Sequence, residues 1–170
     1  MTTHIAFLRA VNVGGTGKLP MAELKAMAAR VGFDNPRTYI ASGNLVFESD
    51  LTSAEAGKRL EAALEVFAGK PVGVIMRTPE ALQAILDANP FADAPGNRCV
   101  TLFLDTPPPD DLDATLKHQA GEEVAAGQRE IYIHYCEGMA QSKLVIPAAK
   151  SGTMRNMNTV AKLVAMARQV

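Results

Sequence analysis

The sequence is poor in the residues that cross-link small proteins or stack on flat ligands. It has no tryptophan, only 5% aromatic residues and two cysteines. The cysteines, Cys99 and Cys136, lie far apart, and neither has a second cysteine or histidine at zinc-knuckle spacing. A disulfide framework or a zinc knuckle is therefore not indicated, and the default expectation is a reducing, cytoplasmic location.

The chain also lacks a charge bias, a long apolar run and a leader-like N-terminus. A formal net charge of −1 gives no overall attraction to nucleic acid or to anionic membranes. The longest apolar runs are far shorter than the roughly 20 residues needed to span a bilayer. Met-Thr-Thr-His, at the start, has no positive charge ahead of an apolar stretch, so we expect no secretory signal. What is present, 170 residues of which 48% are hydrophobic, is typical of a soluble globular protein of one domain or two small ones.

The first ninety residues predict a β-α-β-β-α-β order followed by a further helix. Two of the helices have capping signals: Thr52 with Glu55, and Thr78 before Pro79. The expected strands cover 3–10, 37–41, 45–48 and 71–77, and the first helix covers 20–31. This is the order of the ferredoxin-like split βαβ arrangement, and it places residues 1–90 in a first half of an α+β fold.

Residues 91–97 are rich in proline and glycine and are predicted to connect to a second half, 98–170. This half predicts a β-α-β-β-α order with a C-terminal helix that Asn156 can cap. Its expected elements are a strand over 99–104, a helix over 109–118, a hairpin of 122–126 and 130–135, a helix over 138–145 and a loop over 147–155. The halves are expected to pack as one compact unit, with one shared sheet or with two sheets side by side.

A glycine-rich loop, Val-Asn-Val-Gly-Gly-Thr-Gly-Lys-Leu-Pro over residues 11–20, joins the first strand to the first helix. A Walker loop would need glycine at 12 and serine or threonine at 19, where the chain has Asn12 and Leu19. A dinucleotide fingerprint starting at Gly15 would need glycine or alanine at 20, where Pro20 stands. Both phosphate-binding motifs are therefore excluded.

The helix after this loop has no visible capping side chain. If Pro20 is its first residue, the capping position falls to Leu19, which accepts no hydrogen bond. An outside anion, or a polar group from another segment, could satisfy these amides, with Lys18 and Arg9 adding positive charge. The alternative is that the glycines only permit a turn, that water caps the helix and that Lys18 is solvated.

Four blocks of the sequence resemble those of a known family. They are Phe7–Gly15 with Lys18–Met21, Gly32-Phe33 with Arg37–Phe47, Asn89-Pro90-Phe91, and Thr153–Val160 with Lys162-Leu163. Together they resemble DUF1697, a group of bacterial proteins of unknown function, although Met157 stands where that family often has tryptophan. The resemblance implies an α+β fold of ferredoxin-like halves and no established reaction or cofactor.

The same blocks contain many small polar and basic residues. We predict that the first loop, the 42–44 turn and the 150s loop meet at one end of the sheets and form an anion-attracting pocket. The predicted ligand-binding residues are Arg9, Asn12, Gly14, Gly15, Gly17, Lys18, Ser42, Asn44, Arg155 and Asn156.

Other candidate chemistry is weaker. Strand alternation places Tyr132, His134 and Cys136 on one face, where a cysteine beside a histidine could act as a nucleophile beside its base. No orienting carboxylate is identifiable, so a half-buried sheet face is the preferred interpretation. The acidic stretch 105–113 lacks the glycine and terminal glutamate of a calcium loop and is interpreted as a helix start. No metal site is predicted.

Three functional classes remain after these exclusions. The working hypothesis is binding of a small anionic or phosphate-bearing ligand, with enzymatic activity left open. An RNA-binding module is the second class, but the residues around Gly43 lack the stacking aromatics of the RNA-recognition pattern, so nucleic acid is disfavoured. The third is a non-enzymatic interaction protein that forms a homo-oligomer.

Overall fold

The computed structural model describes residues 1–9, 18–136 and 138–168. They form two compact units, which are taken one at a time below. The first consists of Met1–Gln83 with the C-terminal segment from Lys162 onward, and the second of Ala84–Ala161. The boundaries fall within two helices, whereas the sequence places its boundary at the connector 91–97.

The first unit has the predicted β-α-β-β-α-β order. Its elements are β1 (Thr2–Leu8), α1 (Met21–Arg30), β2 (Asp34–Thr38), β3 (Asn44–Ser49), α2 (Ser53–Ala68), β4 (Val74–Arg77) and α3 (Pro79–Asp87), the last continuing into the second unit. The four strands pair antiparallel in the order β2-β3-β1-β4. Strand β1 is central, and its residues from His4 to Leu8 are all buried. Both faces of this part of the strand are therefore covered, in keeping with the continuous apolar run Ile5–Leu8.

Both long helices of this unit bury an apolar stripe against the sheet. Helix α1 contributes Leu24, Met27 and Ala28, and α2 contributes Ala56, Leu60 and Leu64. The rings of Phe33 and Phe47 stack in the same core with centroids 3.9 Å apart. The apolar residues spaced three or four apart, which predicted these helices, therefore form the buried face of each helix.

Strand β2 begins and ends earlier than predicted. It covers Asp34–Thr38 instead of 37–41, and its register against β3 shifts between Asp34 and Arg37. Asn35 adopts a positive φ of 48°, and Pro36, which follows, has no amide to donate. A bulge on an edge strand accommodates both residues, which is why proline is tolerated inside this strand.

The second unit is built on a separate sheet. Its elements are β5 (Cys99–Phe103), α4 (Leu112–Thr115), β6 (Glu123–Ala126), β7 (Glu130–His134), β8 (Thr153–Asn156) and α5 (Met157–Ala167), the last continuing into the first unit. The strands pair antiparallel in the order β6-β7-β5-β8. The described chain thus has two four-stranded antiparallel sheets with helices, and the predicted α+β class is confirmed.

Three predictions for the second half were wrong in detail. The helix expected over 138–145 is only a 3-10 turn at Met139–Gln141, and the one expected over 109–118 is the single turn α4. Lys117 and Val145 exchange backbone hydrogen bonds of 3.0 and 2.8 Å, and this pairing holds both segments extended. The loop expected over 147–155 ends in β8, a strand whose sequence, Thr-Met-Arg-Asn, shows no apolar alternation. The extended conformation of residues 153–156 therefore comes from their pairing with β5.

The alternation predicted along β7 is confirmed. Ile131, Ile133 and Tyr135 lie in the core of the second unit with Val100, Leu102 and Leu104. Tyr132 and His134 therefore face the opposite side of the sheet. Among the described residues, no helix combines the length and the apolar character needed to cross a membrane.

Candidate functional site

The start of α1 lacks a side-chain cap, as the sequence predicted, but the helix begins one residue later than expected. Pro20 occupies the N-cap position with extended geometry and makes no capping hydrogen bond from its side chain. The carbonyl of Pro20 accepts from the amides of Glu23 and Leu24 at 3.0 and 3.1 Å. The two preceding amides, those of Met21 and Ala22, have no acceptor within the helix.

Three other helices in the described chain supply their own caps. Thr52 Oγ1 accepts from the amide of Glu55 at 3.2 Å, and Thr78 Oγ1 accepts from that of Ala81 at 3.1 Å. Asn156 Oδ1 accepts from the amide of Thr159 at 2.9 Å. All three caps were predicted from sequence, whereas the N-cap residue of α1 is a proline, whose side chain cannot accept a hydrogen bond.

Basic residues lie on both sides of the glycines of the glycine-rich loop. Lys18 is exposed, while its neighbour Leu19 is only 4% exposed and belongs to the core of the first unit. Arg9 follows β1, donates its amide to the carbonyl of Gly73 at 2.9 Å, and runs its side chain past Gly73. The predicted residues Asn12, Gly14, Gly15 and Gly17 lie outside the described part of the chain.

The structure brings Ser42 and Asn44 together at the turn between β2 and β3. Asn44 is fully buried and donates its side-chain amide to Ser42 Oγ at 3.0 Å. The carbonyl of Gly43, in the same turn, accepts from the amide of Leu8 at 2.9 Å. Arg9, next along the chain, is therefore at the same end of the sheet as this turn. Ligand binding by Ser42 and Asn44 stays a prediction, but both side chains already stabilise the turn.

Arg155 and Asn156 lie in the second unit, on β8. Arg155 is 6% exposed and donates to Thr153 Oγ1 at 2.7 Å and to the carbonyl of Met154 at 2.8 Å. Burial disfavours its charge and lowers the pKa of its guanidinium to about 10. Asn156 is the cap of α5. Both residues thus have local structural roles, and their convergence with the 42–44 turn stays a prediction.

The face of β7 that carries His134 has a neighbouring carboxylate that strand alternation alone does not reveal. Glu123 on β6 is directly opposite His134 in the strand register, and its Oε1 lies 3.1 Å from His134 Nδ1. Cys136, two residues further on, has its Sγ 3.5 Å from the same Nδ1. The predicted hairpin around Gly127-Gln128 implies this contact, because pairing the two strands outward from that turn places Glu123 opposite His134.

This arrangement differs from a nucleophile–base relay. In such a relay one ring nitrogen faces the nucleophile and the other faces the orienting carboxylate. Here Glu123 and Cys136 both face Nδ1, so the histidine cannot accept a proton from the thiol there while donating from the same atom to the carboxylate. The geometry supports a cluster of three converging donor atoms more than a catalytic triad.

A cavity of about 310 Å³ lies next to this cluster. Cys136 contributes to its wall, which also includes His118, Glu122, Tyr135, Ser142 and Lys143. Glu122 accepts from the amide of Ala120 at 2.6 Å and from Ser142 Oγ at 2.9 Å. These bonds lower the pKa of its carboxyl group, the bond from Ala120 contributing most.

Two four-stranded antiparallel sheets, each with helices, define an α+β protein. A family model described as "Protein of unknown function (DUF1697)" matches residues 1–132, and the chain belongs to that family. The first three sequence blocks fall within the match; the block at 153–160 lies beyond it.

Comparison with solved structures supports the same fold. The conserved bacterial protein SP0830 from Streptococcus pneumoniae is 23% identical and superposes with a TM-score of 0.76, over 98% of this chain and 99% of that one. At this identity the likeness shows the fold alone. No curated protein matches the chain.

Proposed function

We propose that this DUF1697 protein binds a small anionic, phosphate-bearing ligand at the start of α1. The observation that carries the proposal is the N-terminus of α1, where Pro20 provides no cap and the amides of Met21 and Ala22 lack helical acceptors. Amides at a helix N-terminus point outward with a positive dipole end, an arrangement that favours phosphate.

The charges around this helix start favour the same ligand. Lys18 is exposed two residues before Pro20, and Arg9 directly follows the strand that leads into the loop. Buried Leu19 anchors the chain between Lys18 and the helix, which limits how far that lysine can move from the amides of Met21 and Ala22. The sequence adds Gly14, Gly15 and Gly17, whose lack of a Cβ permits close backbone approach to an anion.

The test is an NMR titration of the ¹⁵N-labelled protein with inorganic phosphate, sulfate and AMP. We expect saturable shifts of the Met21 and Ala22 amides. The amides of Glu55 and Ala56, which the side chain and the carbonyl of Thr52 already engage at the start of α2, serve as the control within the same molecule and should not move. Absence of saturable shifts at Met21 and Ala22 with all three probes would overturn the proposal.

Two variants sharpen the titration. Lys18→Ala should weaken phosphate binding, whereas Lys58→Ala, which removes an exposed lysine from the body of α2, should not. Pro20→Asp should place a carboxylate at the N-cap, stabilise the free protein by about 1 kcal/mol and compete with the ligand. Binding that is unchanged in Lys18→Ala and in Pro20→Asp contradicts the assignment of the site.

A further inference from the structure

Glu123, His134 and Cys136 place three different metal-ligating atoms around one point. Glu123 and His134 are cross-strand neighbours on β6 and β7, and Cys136 follows His134 by two residues. The Sγ of Cys136 lies 3.5 Å from Nδ1 of His134 and 4.0 Å from Oε1 of Glu123, and Nδ1 lies 3.1 Å from that Oε1. All three atoms lie within 4.8 Å of one another.

These distances match the edges of a zinc coordination tetrahedron. With bonds of about 2.3 Å to sulfur and about 2.0 Å to nitrogen and oxygen, tetrahedral angles put the ligand atoms about 3.3 to 3.5 Å apart. The measured separations of 3.1, 3.5 and 4.0 Å bracket these values, so small side-chain rotations would bring the three atoms into place.

The proton arrangement also favours a shared cation. The thiol of Cys136 lies 3.3 Å from the carbonyl of Gly121, to which it can donate. The remaining lone pairs of its sulfur, the carboxylate of Glu123 and one nitrogen of His134 then point toward the same place. A single proton on Nδ1 bonds to only part of this group of electron-pair donors, whereas a divalent cation can be bound by all of them. Zinc binding would break the S–H bond and release that proton to solvent.

We infer that Glu123, His134 and Cys136 form a zinc-binding site with three protein ligands and a fourth position open to the adjoining cavity. A carboxylate, an imidazole and a thiolate suit zinc better than the hard cations magnesium and calcium, which prefer oxygen alone. The ring of Phe91 packs against that of His134 with centroids 5.6 Å apart and restricts the imidazole. Because the cavity wall includes Cys136, a water or a substrate atom can reach the open position.

The test is zinc binding by the full chain without an affinity tag, measured by competition with a chromophoric chelator. We expect one equivalent of zinc per chain. Cys136→Ser and His134→Gln should each weaken binding by about tenfold or more, and Glu123→Gln should weaken it less because an amide oxygen still ligates. Cys99→Ala tests the neighbouring thiol, which lies opposite His134 on β5 and contacts the carbonyl of Phe91. Zinc binding should persist in this variant because Cys99 is not one of the three ligands. Glu65→Gln, on the exposed surface of α2, is the distant control.

Cobalt substitution gives a second readout that does not depend on affinity. The wild-type protein with Co²⁺ should show a thiolate-to-cobalt charge-transfer band and the intense visible bands of a tetrahedral site, and Cys136→Ser should lose the charge-transfer band. If His134→Gln fails to fold, the partly exposed Cys136 still provides the decisive variant. Absence of stoichiometric zinc, or binding retained by Cys136→Ser, would overturn the inference.

Discussion

The side-chain amide of Asn44 donates to the backbone carbonyl of Tyr39 at 2.9 Å across the β2–β3 turn. The backbone closes the same turn in the other direction, since the amide of Tyr39 donates to the carbonyl of Asn44 at 3.2 Å. Between them, Ile40 and Gly43 adopt positive φ values of 51° and 88°. A non-glycine residue at positive φ costs energy, and the buried Asn44 side chain offsets that cost by holding both ends of the turn.

Replacement of Asn44 should therefore destabilise the protein in the absence of any ligand. Asn44→Ala leaves the carbonyl of Tyr39 without its side-chain donor, and we expect a loss of about 2 kcal/mol in the free energy of unfolding. Asn44→Asp should cost more because a buried carboxylate would face that carbonyl. Urea unfolding measures both, with the exposed Asn97→Ala as control. An Asn44→Ala protein as stable as the control would show that the turn does not depend on this bond.

Gly152 should tolerate no side chain. A Cβ built there would meet the carbonyl oxygen of Phe103 and would lie 2.8 Å from methyl groups of both Leu102 and Leu104. The obstacle is strand backbone, which cannot rotate away, so Gly152→Ala must displace the segment that leads into β8. We expect a loss of roughly 2 to 4 kcal/mol. Thermal unfolding beside the exposed neighbour Ser151→Ala measures it, and equal midpoints would refute the predicted clash.

The features that the sequence predicts correctly depend on residues close together in the chain. The caps at Thr52, Thr78 and Asn156 and the alternation along β7 depend on neighbouring residues, and these predictions were confirmed. Strand β8 and the Lys117–Val145 pairing depend on partners distant in the chain, and no pattern in their own residues reports them. Propensity and periodicity describe one segment at a time, whereas pairing across a sheet can override both.

The same distinction between local and long-range features applies to the candidate sites. The missing cap of α1 was visible in Leu19-Pro20 because capping is local. The Glu123–His134 contact does not follow from either strand alone because it needs the register of the hairpin, which the turn at Gly127-Gln128 sets. Asn44 is a predicted ligand-binding residue because its side chain is polar. The structure shows that this side chain instead donates a hydrogen bond within the turn, to the carbonyl of Tyr39.

The carboxylate of Glu130 should stabilise the hairpin between β6 and β7. Its two oxygens accept from the amides of Gln128 and Arg129 at 3.2 and 2.8 Å, and the residue is only 7% exposed. Glu130→Gln keeps one acceptor oxygen and should cost about 1 kcal/mol, while Glu130→Ala loses both bonds and should cost about 2 kcal/mol. Urea unfolding tests this order, with Glu65→Gln on the surface of α2 as control. The reverse order, or no loss in either variant, would contradict the role.

Tyr132 should make the protein less stable at alkaline pH. Its hydroxyl donates to the carbonyl of Ile85 at 3.0 Å, and burial, with a smaller effect from the carboxylate of Glu130, raises its pKa to about 12. Because the unfolded chain loses this proton near pH 10 and the folded chain keeps it, the folded state binds more protons between these values. Stability is therefore fully present below pH 10 and falls as the pH rises toward 12.

Tyr132→Phe isolates this contribution. At pH 8 the variant should be less stable by about 1 kcal/mol because the carbonyl of Ile85 loses its donor. Between pH 9 and pH 11.5 the wild type should lose up to roughly 2 kcal/mol more than the variant, so the difference between them should shrink or reverse. Burial also raises the pKa of Tyr135, but that residue is present in both proteins and cancels in the comparison. Urea unfolding at the three pH values measures the difference; parallel losses in the two proteins would show that Tyr132 ionises alike in the folded and unfolded chains.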